Sequence, residues 1–189
     1  FPAHFVQILI EKPVAGHFGL EQSDAYMLSK HWVIFSLFFG CGFVVRNLVR
    51  RFTRDELFSK LAMIGFLLWP YVFGHAMFNI KDVPFMCAWL LCTGYSFSLV
   101  RRHSEGQAIG RRAVFLLAIL TGWLISIRVA GILIFLQYAL TVFFLWGAGS
   151  GSGSTRHPLR PGNLALFAVC LVLFVYVAYP LFWLRPIEA

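Results

Sequence analysis

Charged residues are scarce in this chain of 189 residues, where they make up 13% of the sequence and only eight are acidic. Hydrophobic residues make up 59%, against roughly 45–50% in soluble domains, and the mean hydropathy is +0.76. This composition excludes an ordinary water-soluble domain. It indicates an integral membrane protein.

The chain also lacks the short alternating segments, about ten residues each, that are typical of membrane β-barrel strands. Its apolar runs have instead the length of membrane helices. They lie at 26–45, 61–78, 83–100, 113–127, 132–146 and 164–184. We therefore predict an all-α fold, a polytopic transmembrane bundle of about six spans in residues 26–189. Residues 1–25 form an external segment, whose apolar start at 1–10 suits an interfacial helix.

Cysteine occurs four times, without the spacing of a zinc or redox site. Cys41, Cys87, Cys92 and Cys170 all lie inside apolar runs, and no two form a Cys-x-x-Cys pair. We interpret them as small packing residues. A phosphate-binding glycine loop is also missing, because the glycines of 147–153 alternate with small residues in a flexible linker, 147–163. The sequence predicts neither a metal nor a cofactor.

The basic residues are concentrated in three segments between apolar runs. Eleven of the 16 Lys and Arg residues fall within 46–60, 101–112 and 156–160. Because cytoplasmic loops collect Lys and Arg, we predict that these segments are cytoplasmic. Nucleic-acid binding would also suit a net charge of +8, but these arginines lie in short loops between spans rather than on one folded surface. We therefore expect no nucleic-acid partner.

This topology requires a break near Arg128. A single helix over 113–146 would be about 51 Å long, beyond a normal crossing, and would carry Arg128 near its centre. Two short spans, joined at 128–131, satisfy both the length limit and the alternation of charge.

The predicted external face collects a second set of polar residues: His75, Asn79, Lys81, Asp82 and Arg128. Each of these residues could instead have a purely structural role. Asp82 could cap the third span, Lys81 could reach the headgroups, Arg128 could anchor the interface, and His75 and Asn79 could bond to neighbouring helices. Their convergence at one membrane face favours a functional site.

Two blocks of the sequence resemble the membrane region of bacterial family-39-type glycosyltransferases, which have the GT-C fold and include relatives of protein mannosyltransferases and of lipid A aminoarabinose transferases. The first block is 70–85, with Asn-Ile-Lys-Asp-Val-Pro at 79–84, and the second is 122–131, with Arg-Val-Ala-Gly at 128–131. The resemblance implies a polyprenyl-phosphate-linked sugar as donor. Transfer would take place on the external, periplasmic face of a bacterial plasma membrane, to an acceptor whose class the sequence leaves open.

Within that resemblance, the cations would bind the donor phosphate. A leaving phosphate gains negative charge, and preplaced cations stabilise that charge in the transition state. Lys81 and Arg128 are the candidates for this role. His75 and Asn79 would bind sugar hydroxyls or orient Lys81, while Asp82 would hold Lys81.

The sequence departs from the family at the catalytic carboxylate. The resemblance implies an Asp-Glu pair in the first external loop, whereas the only Asp-Glu pair here is Asp55-Glu56, on the predicted cytoplasmic side. Glu11, Glu21 and Asp24 lie on the external side but do not match the motif. The catalytic residue is therefore unassigned. The chain opens on Phe1 without an initiator Met or a signal peptide pattern, and we expect the catalytic base to lie upstream.

Two other classes of function stay open. In a transporter or channel, the Lys/Asp pair and the intramembrane Arg would line a path for ions or substrates, with matched broken helices as the sequence hallmark. The other class is a non-catalytic membrane scaffold.

Overall fold

A computed structural model describes residues 2–19, 21–78, 81–149 and 161–178, and within them every regular element is a helix. The predicted all-α class is confirmed for this part of the chain. The elements are α1 (Pro2–Phe18), α2 (Gln22–Thr53), α3 (Glu56–Leu68), α4 (Pro70–Phe78), α5 (Asp82–Ser104), α6 (Arg111–Ile127), a 3-10 turn (Val129–Leu133), α7 (Ile134–Gly149) and α8 (Pro161–Ala178).

Three helices of the described part are long and apolar enough to cross a membrane: α2, α5 and α8. A fourth crossing is added if α3 and α4 form one broken span. These helices indicate a membrane protein. The predicted six spans exceed the number that helix length and composition support by themselves.

In the structure, the predicted span 61–78 is not one straight helix. α3 and α4 meet at an angle of 58°. Trp69 between them has an extended backbone, with φ −61° and ψ 113°. The residue before a proline is disfavoured in the helical conformation, and Pro70 therefore ends α3 at Leu68.

At both ends, residues that the sequence assigns to the linker 147–163 are helical in the structure. α7 continues through Gly149, and α8 begins at Pro161. Residues 150–160 lie outside the described part of the chain, as do 179–184 of the last predicted span and Asn79.

The chain divides into two compact units, Phe1–Leu91 and Cys92–Ala189, with α5 shared between them. The core of the first unit brings α2 together with α4 and the start of α5. It consists of Ile34, Phe38, Cys41, Ala76, Val83 and Cys87. The interpretation of the cysteines as packing residues is confirmed for Cys41, Cys87 and Cys92, which are buried free thiols.

The Asp55-Glu56 pair stabilises the connection between α2 and α3. The Asp55 carboxylate accepts hydrogen bonds from the N–H groups of Leu57 and Phe58, at 2.8 and 3.0 Å, and so caps α3. Glu56 forms ion pairs with Arg46 on α2 and with Lys60 on its own helix. Both carboxylates therefore have structural partners.

In the second unit α6 packs along α8, and a glycine permits the close contact. A Cβ atom placed on Gly122 would lie 2.7 Å from Cδ1 of Phe174 on α8. Small residues at helix interfaces let backbones approach closely in membrane proteins. Gly122 thus sets the spacing of this helix pair.

Five serine and threonine hydroxyls in the apolar helices donate to a carbonyl of their own helix, three or four residues earlier. Such bonds satisfy the hydroxyl without any neighbouring helix. The donors and acceptors are Ser29 to Tyr26, Ser96 to Thr93, Thr121 to Leu117, Ser126 to Gly122 and Thr141 to Gln137.

Candidate functional site

Three of the predicted site residues in the first unit flank the junction of α4 and α5. His75 lies in the last turn of α4 and is half-buried. Its ring packs on that of Tyr71, one turn earlier, with the ring centroids 4.4 Å apart. This contact fixes the imidazole against its own helix.

Lys81 and Asp82 stand at the start of α5. Lys81 is exposed, and its carbonyl accepts the N–H of Phe85 at 3.0 Å, so its backbone already belongs to the first helical turn. Asp82 is the first residue of α5 and is half-buried. Pro84 is buried in the first turn, where its missing N–H costs no helical hydrogen bond. The ammonium group is therefore carried on a residue whose backbone is hydrogen-bonded into the helix start.

The core of the first unit anchors both sides of this turn. Ala76 follows His75 directly, Val83 follows Asp82, and both are buried in the cluster that also contains Cys87. Because buried neighbours hold the ends of α4 and α5, the polar residues next to them have defined positions. Asn79, the fourth polar residue predicted here, lies outside the described residues.

Arg128 occupies a break between two helices of the second unit, at the position where the sequence predicts the split. α6 ends at Ile127, and Arg128 is extended, with φ −149° and ψ 138°. Its N–H donates to the Leu124 carbonyl at 3.4 Å, and its own carbonyl accepts the N–H of Gly131 at 2.8 Å. The side chain is exposed. The break is thus an ordered turn that presents a guanidinium group.

Gly131 is required by the geometry of this turn. A Cβ atom there would lie 2.9 Å from the Leu124 carbonyl oxygen and 3.0 Å from the backbone of Ile125. Both are backbone atoms, so a side chain could be accommodated only if the turn itself moved. The Arg-Val-Ala-Gly sequence therefore encodes the shape of the break as well as its charge.

Lys81 and Arg128 belong to different units of the chain. Their joint action on one phosphate stays a prediction. Taken separately, each of them is an exposed cation at the junction of two apolar helices.

Sequence reasoning missed a set of polar contacts inside the second unit. The Gln137 amide donates to the Thr93 hydroxyl at 3.0 Å, and the Tyr138 and Thr121 hydroxyls are hydrogen-bonded at 3.0 Å. The Cys92 thiol lies beside the Tyr138 and Thr121 hydroxyls. The signal was present in the sequence, since an amide and a phenol stand side by side at 137–138 in an apolar run, and polar groups at membrane depth are expensive unless paired.

Within the described residues, no group of three His, Cys, Asp or Glu side chains is placed to hold a metal ion.

Comparison of the chain with family profiles, with characterised proteins and with solved structures finds no significant match. The resemblance to GT-C glycosyltransferases is carried by the blocks at 70–85 and 122–131 and stays a prediction.

Proposed function

We propose that this chain is part of a membrane glycosyltransferase that moves a sugar from a polyprenyl-phosphate donor to an acceptor at the external face of a bacterial plasma membrane. The observation that carries the proposal is the position of Lys81, an exposed ammonium group at the start of α5, next to Asp82 and between two apolar helices. Arg128 supplies a second exposed cation at the break after α6.

The chemistry follows from the charge that develops on the leaving group. The acceptor hydroxyl oxygen forms a bond to the anomeric carbon while the bond from that carbon to the phosphate oxygen breaks, and the polyprenyl phosphate takes the electron pair and gains negative charge. An ammonium or guanidinium group already facing that oxygen stabilises the transition state more than the ground state, and therefore raises the rate. A carboxylate outside the residues assigned here would take the proton of the acceptor hydroxyl.

The proposed topology has six spans and an external site. α2, the bent pair α3 and α4, α5, α6, the 3-10 turn with α7, and α8 each cross once. α6 has 17 residues and rises only about 26 Å, so it fits a locally thin bilayer or a protein-lined position better than the full hydrocarbon thickness. The Arg-rich loops then face the cytoplasm, while Lys81 and Arg128 face outward.

A photoreactive polyprenyl-phosphate sugar tests the proposal directly. The full-length protein is placed in proteoliposomes, irradiated with the donor analogue and digested, and the labelled peptides are identified by mass spectrometry. We expect label in peptides that contain 70–85 or 122–131, and competition by unlabelled donor but not by the neutral polyprenol. Equal labelling by a neutral polyprenol analogue would contradict a phosphate-binding site.

A transporter of small anions is the second candidate, and the structure supplies an observation in its favour. Two of the apolar segments are discontinuous, at Trp69 and at Arg128. Discontinuous membrane helices commonly form the substrate sites of transporters. Uptake of a labelled anion into proteoliposomes, without donor-dependent photolabelling, would favour this candidate over the transferase.

A further inference from the structure

An apolar cavity of about 590 Å³ lies within the second unit, between the end of α5, α6, α7 and α8. It is large enough to hold a ligand, since pockets that bind small molecules commonly measure about 300–1,000 Å³. Its walls are almost entirely hydrocarbon. Among the lining residues are Leu99, Leu117, Phe135, Val142, Leu164 and Phe167.

The cavity runs along the helices. On α7 its lining extends from Phe135 to Phe143, eight residues that correspond to about 12 Å of helix rise. On α5 it extends from Ser96 to His103, about 10 Å. One leaflet contributes half of a hydrocarbon core of about 30 Å. The cavity therefore has the direction and depth that suit one extended hydrocarbon chain.

One end of the cavity is lined by residues that are close in sequence to four arginines. His103 and Asn163 line that end, and the Asn163 amide donates to the Ile109 carbonyl at 3.2 Å. Arg111 and Arg112 lie between Ile109 and Val114, which both line the cavity. Arg101 and Arg102 precede His103 at the end of α5.

Arg111 and Arg112 are also placed where an anion would be favourable. Both are exposed in the first turn of α6, a turn that contains no acidic residue and has no side-chain cap from Gly110. The N-terminus of a helix carries a partial positive charge, so two cations there repel it. Arg101 differs from this pair, because it forms an ion pair with Glu105 at 2.8 Å.

We infer that this cavity binds an anionic phospholipid, with one acyl chain in the apolar slot and the phosphate at Arg111 and Arg112. The charge pattern predicts that this rim lies on the cytoplasmic side, whose leaflet is rich in anionic lipids, and basic pockets between membrane helices bind such headgroups. Arginines that only set the orientation of a membrane protein need no neighbouring cavity. Arg111 and Arg112, by contrast, lie in sequence between two residues that line a cavity with the depth of an acyl chain. The inference does not depend on the proposed glycosyl transfer.

The first test compares lipids on the full chain in detergent. Dioleoyl phosphatidylglycerol should raise the melting temperature above the value in dioleoyl phosphatidylcholine, because a ligand that binds only the folded state stabilises it. Dihexanoyl phosphatidylglycerol and inorganic phosphate, which provide the anion without a long chain, should give little of this increase. Equal stabilisation by the two long-chain lipids, or full stabilisation by inorganic phosphate, would overturn the inference.

Two sets of variants separate the rim from the slot. Replacing Arg111 and Arg112 together by Gln should abolish the preference for phosphatidylglycerol, whereas the matched replacement of Arg51 and Arg54 should leave it unchanged. Replacing Arg111 and Arg112 by Lys keeps the topogenic charge and should weaken the preference, because lysine lacks the bidentate fork. A preference that survives loss of both arginines would contradict the proposed headgroup site.

Ala139→Phe tests the slot, since Ala139 lines the cavity on α7. The variant should lose the phosphatidylglycerol effect while its helix content and monodispersity stay normal. Ala165→Phe, at an exposed position of α8 outside the lining, is the matched control and should retain the effect. Retention by both variants would show that no acyl chain enters the cavity.

Discussion

At the scale of single residues, Lys81 and Arg128 are both exposed cations, but their backbones are held differently. Lys81 stands at the beginning of a long helix. Arg128 lies in an extended break that is fixed by hydrogen bonds to Leu124 and Gly131. Because the bonds at Arg128 involve only the main chain, the side chain can be removed without removing them. Substitution at Arg128 therefore keeps these main-chain hydrogen bonds.

If these cations bind the donor phosphate, Lys81→Ala and Arg128→Ala should each lower turnover by about 10²–10³-fold, the usual cost of losing one preorganised electrostatic contact to a developing anion. Lys81→Arg should restore only part of the rate. The measurement is transfer from a polyprenyl-phosphate sugar by the full-length protein, normalised to correctly inserted enzyme. Lys60→Ala, which removes a lysine paired with Glu56, is the matched control and should have near-normal turnover. Near-normal rates for both alanine variants at 81 and 128 would make those residues structural anchors.

Gly131→Ala should destabilise the turn at Arg128, because its Cβ would meet the backbone of Leu124 and Ile125. Overpacking of this kind costs roughly 1–3 kcal/mol. The effect can be measured as a lower unfolding midpoint in detergent. Gly65→Ala is the control, since nothing lies within 4 Å of the added Cβ and alanine favours a helix. Equal midpoints for the two variants would show that the turn can relax around a side chain.

At the scale of elements, the contact between α6 and α8 depends on Gly122. Gly122→Ala places a methyl group against the Phe174 ring, and the two helices should separate or tilt. A loss of roughly 1–3 kcal/mol of stability is expected from this overpacking. Gly162→Ala, on open surface at the start of α8, should have little effect. In a Phe174→Ala background the cost of Gly122→Ala should fall, and an unchanged cost would locate the strain elsewhere.

We predict that Asp55, at the connection between α2 and α3, contributes to stability through its cap of α3. Asp55→Ala should cost about 0.5–2 kcal/mol, the usual effect of removing a helix N-cap, while Asp55→Asn should cost little because asparagine also caps. The stability measurement is again the unfolding midpoint. Sugar transfer per folded molecule should stay near normal in both variants, since the carboxylate is engaged with Leu57 and Phe58. A loss of turnover with normal stability would assign this pair to catalysis.

At the scale of the whole molecule, the six-span proposal predicts opposite exposures for two loops. In a background without native cysteines, Ala130→Cys should react with an impermeant thiol reagent added outside, and Gln107→Cys should react only after the membrane is opened. Both positions are exposed in the structure. Labelling of both positions only from the cytoplasmic side would mean that α6 and α7 return to the same side of the membrane, and would contradict six crossings.

Much of the helical architecture could be predicted from the sequence, because apolar runs of membrane length have few alternatives to a helix. The break at Arg128 was also predictable, since a helix without it would be too long and would carry a guanidinium at its centre. The bend at Trp69 was missed because hydropathy is continuous across 61–78, although Trp69-Pro70 carries the local signal. The pairing of Thr93 with Gln137 joins positions 44 residues apart, and a hydropathy pattern does not encode which faces meet.

The hydroxyl groups that donate to their own helices bear on the order of assembly. A serine or threonine that donates to a carbonyl three or four residues earlier brings no unsatisfied donor into lipid. Ser29, Ser96, Ser126 and Thr141 meet this condition within a single helix. These four hydroxyls therefore need no neighbouring helix when their own helix enters the bilayer. Association comes afterwards, through close backbone contacts such as that at Gly122 and through the two hydrogen bonds of Gln137 and Tyr138.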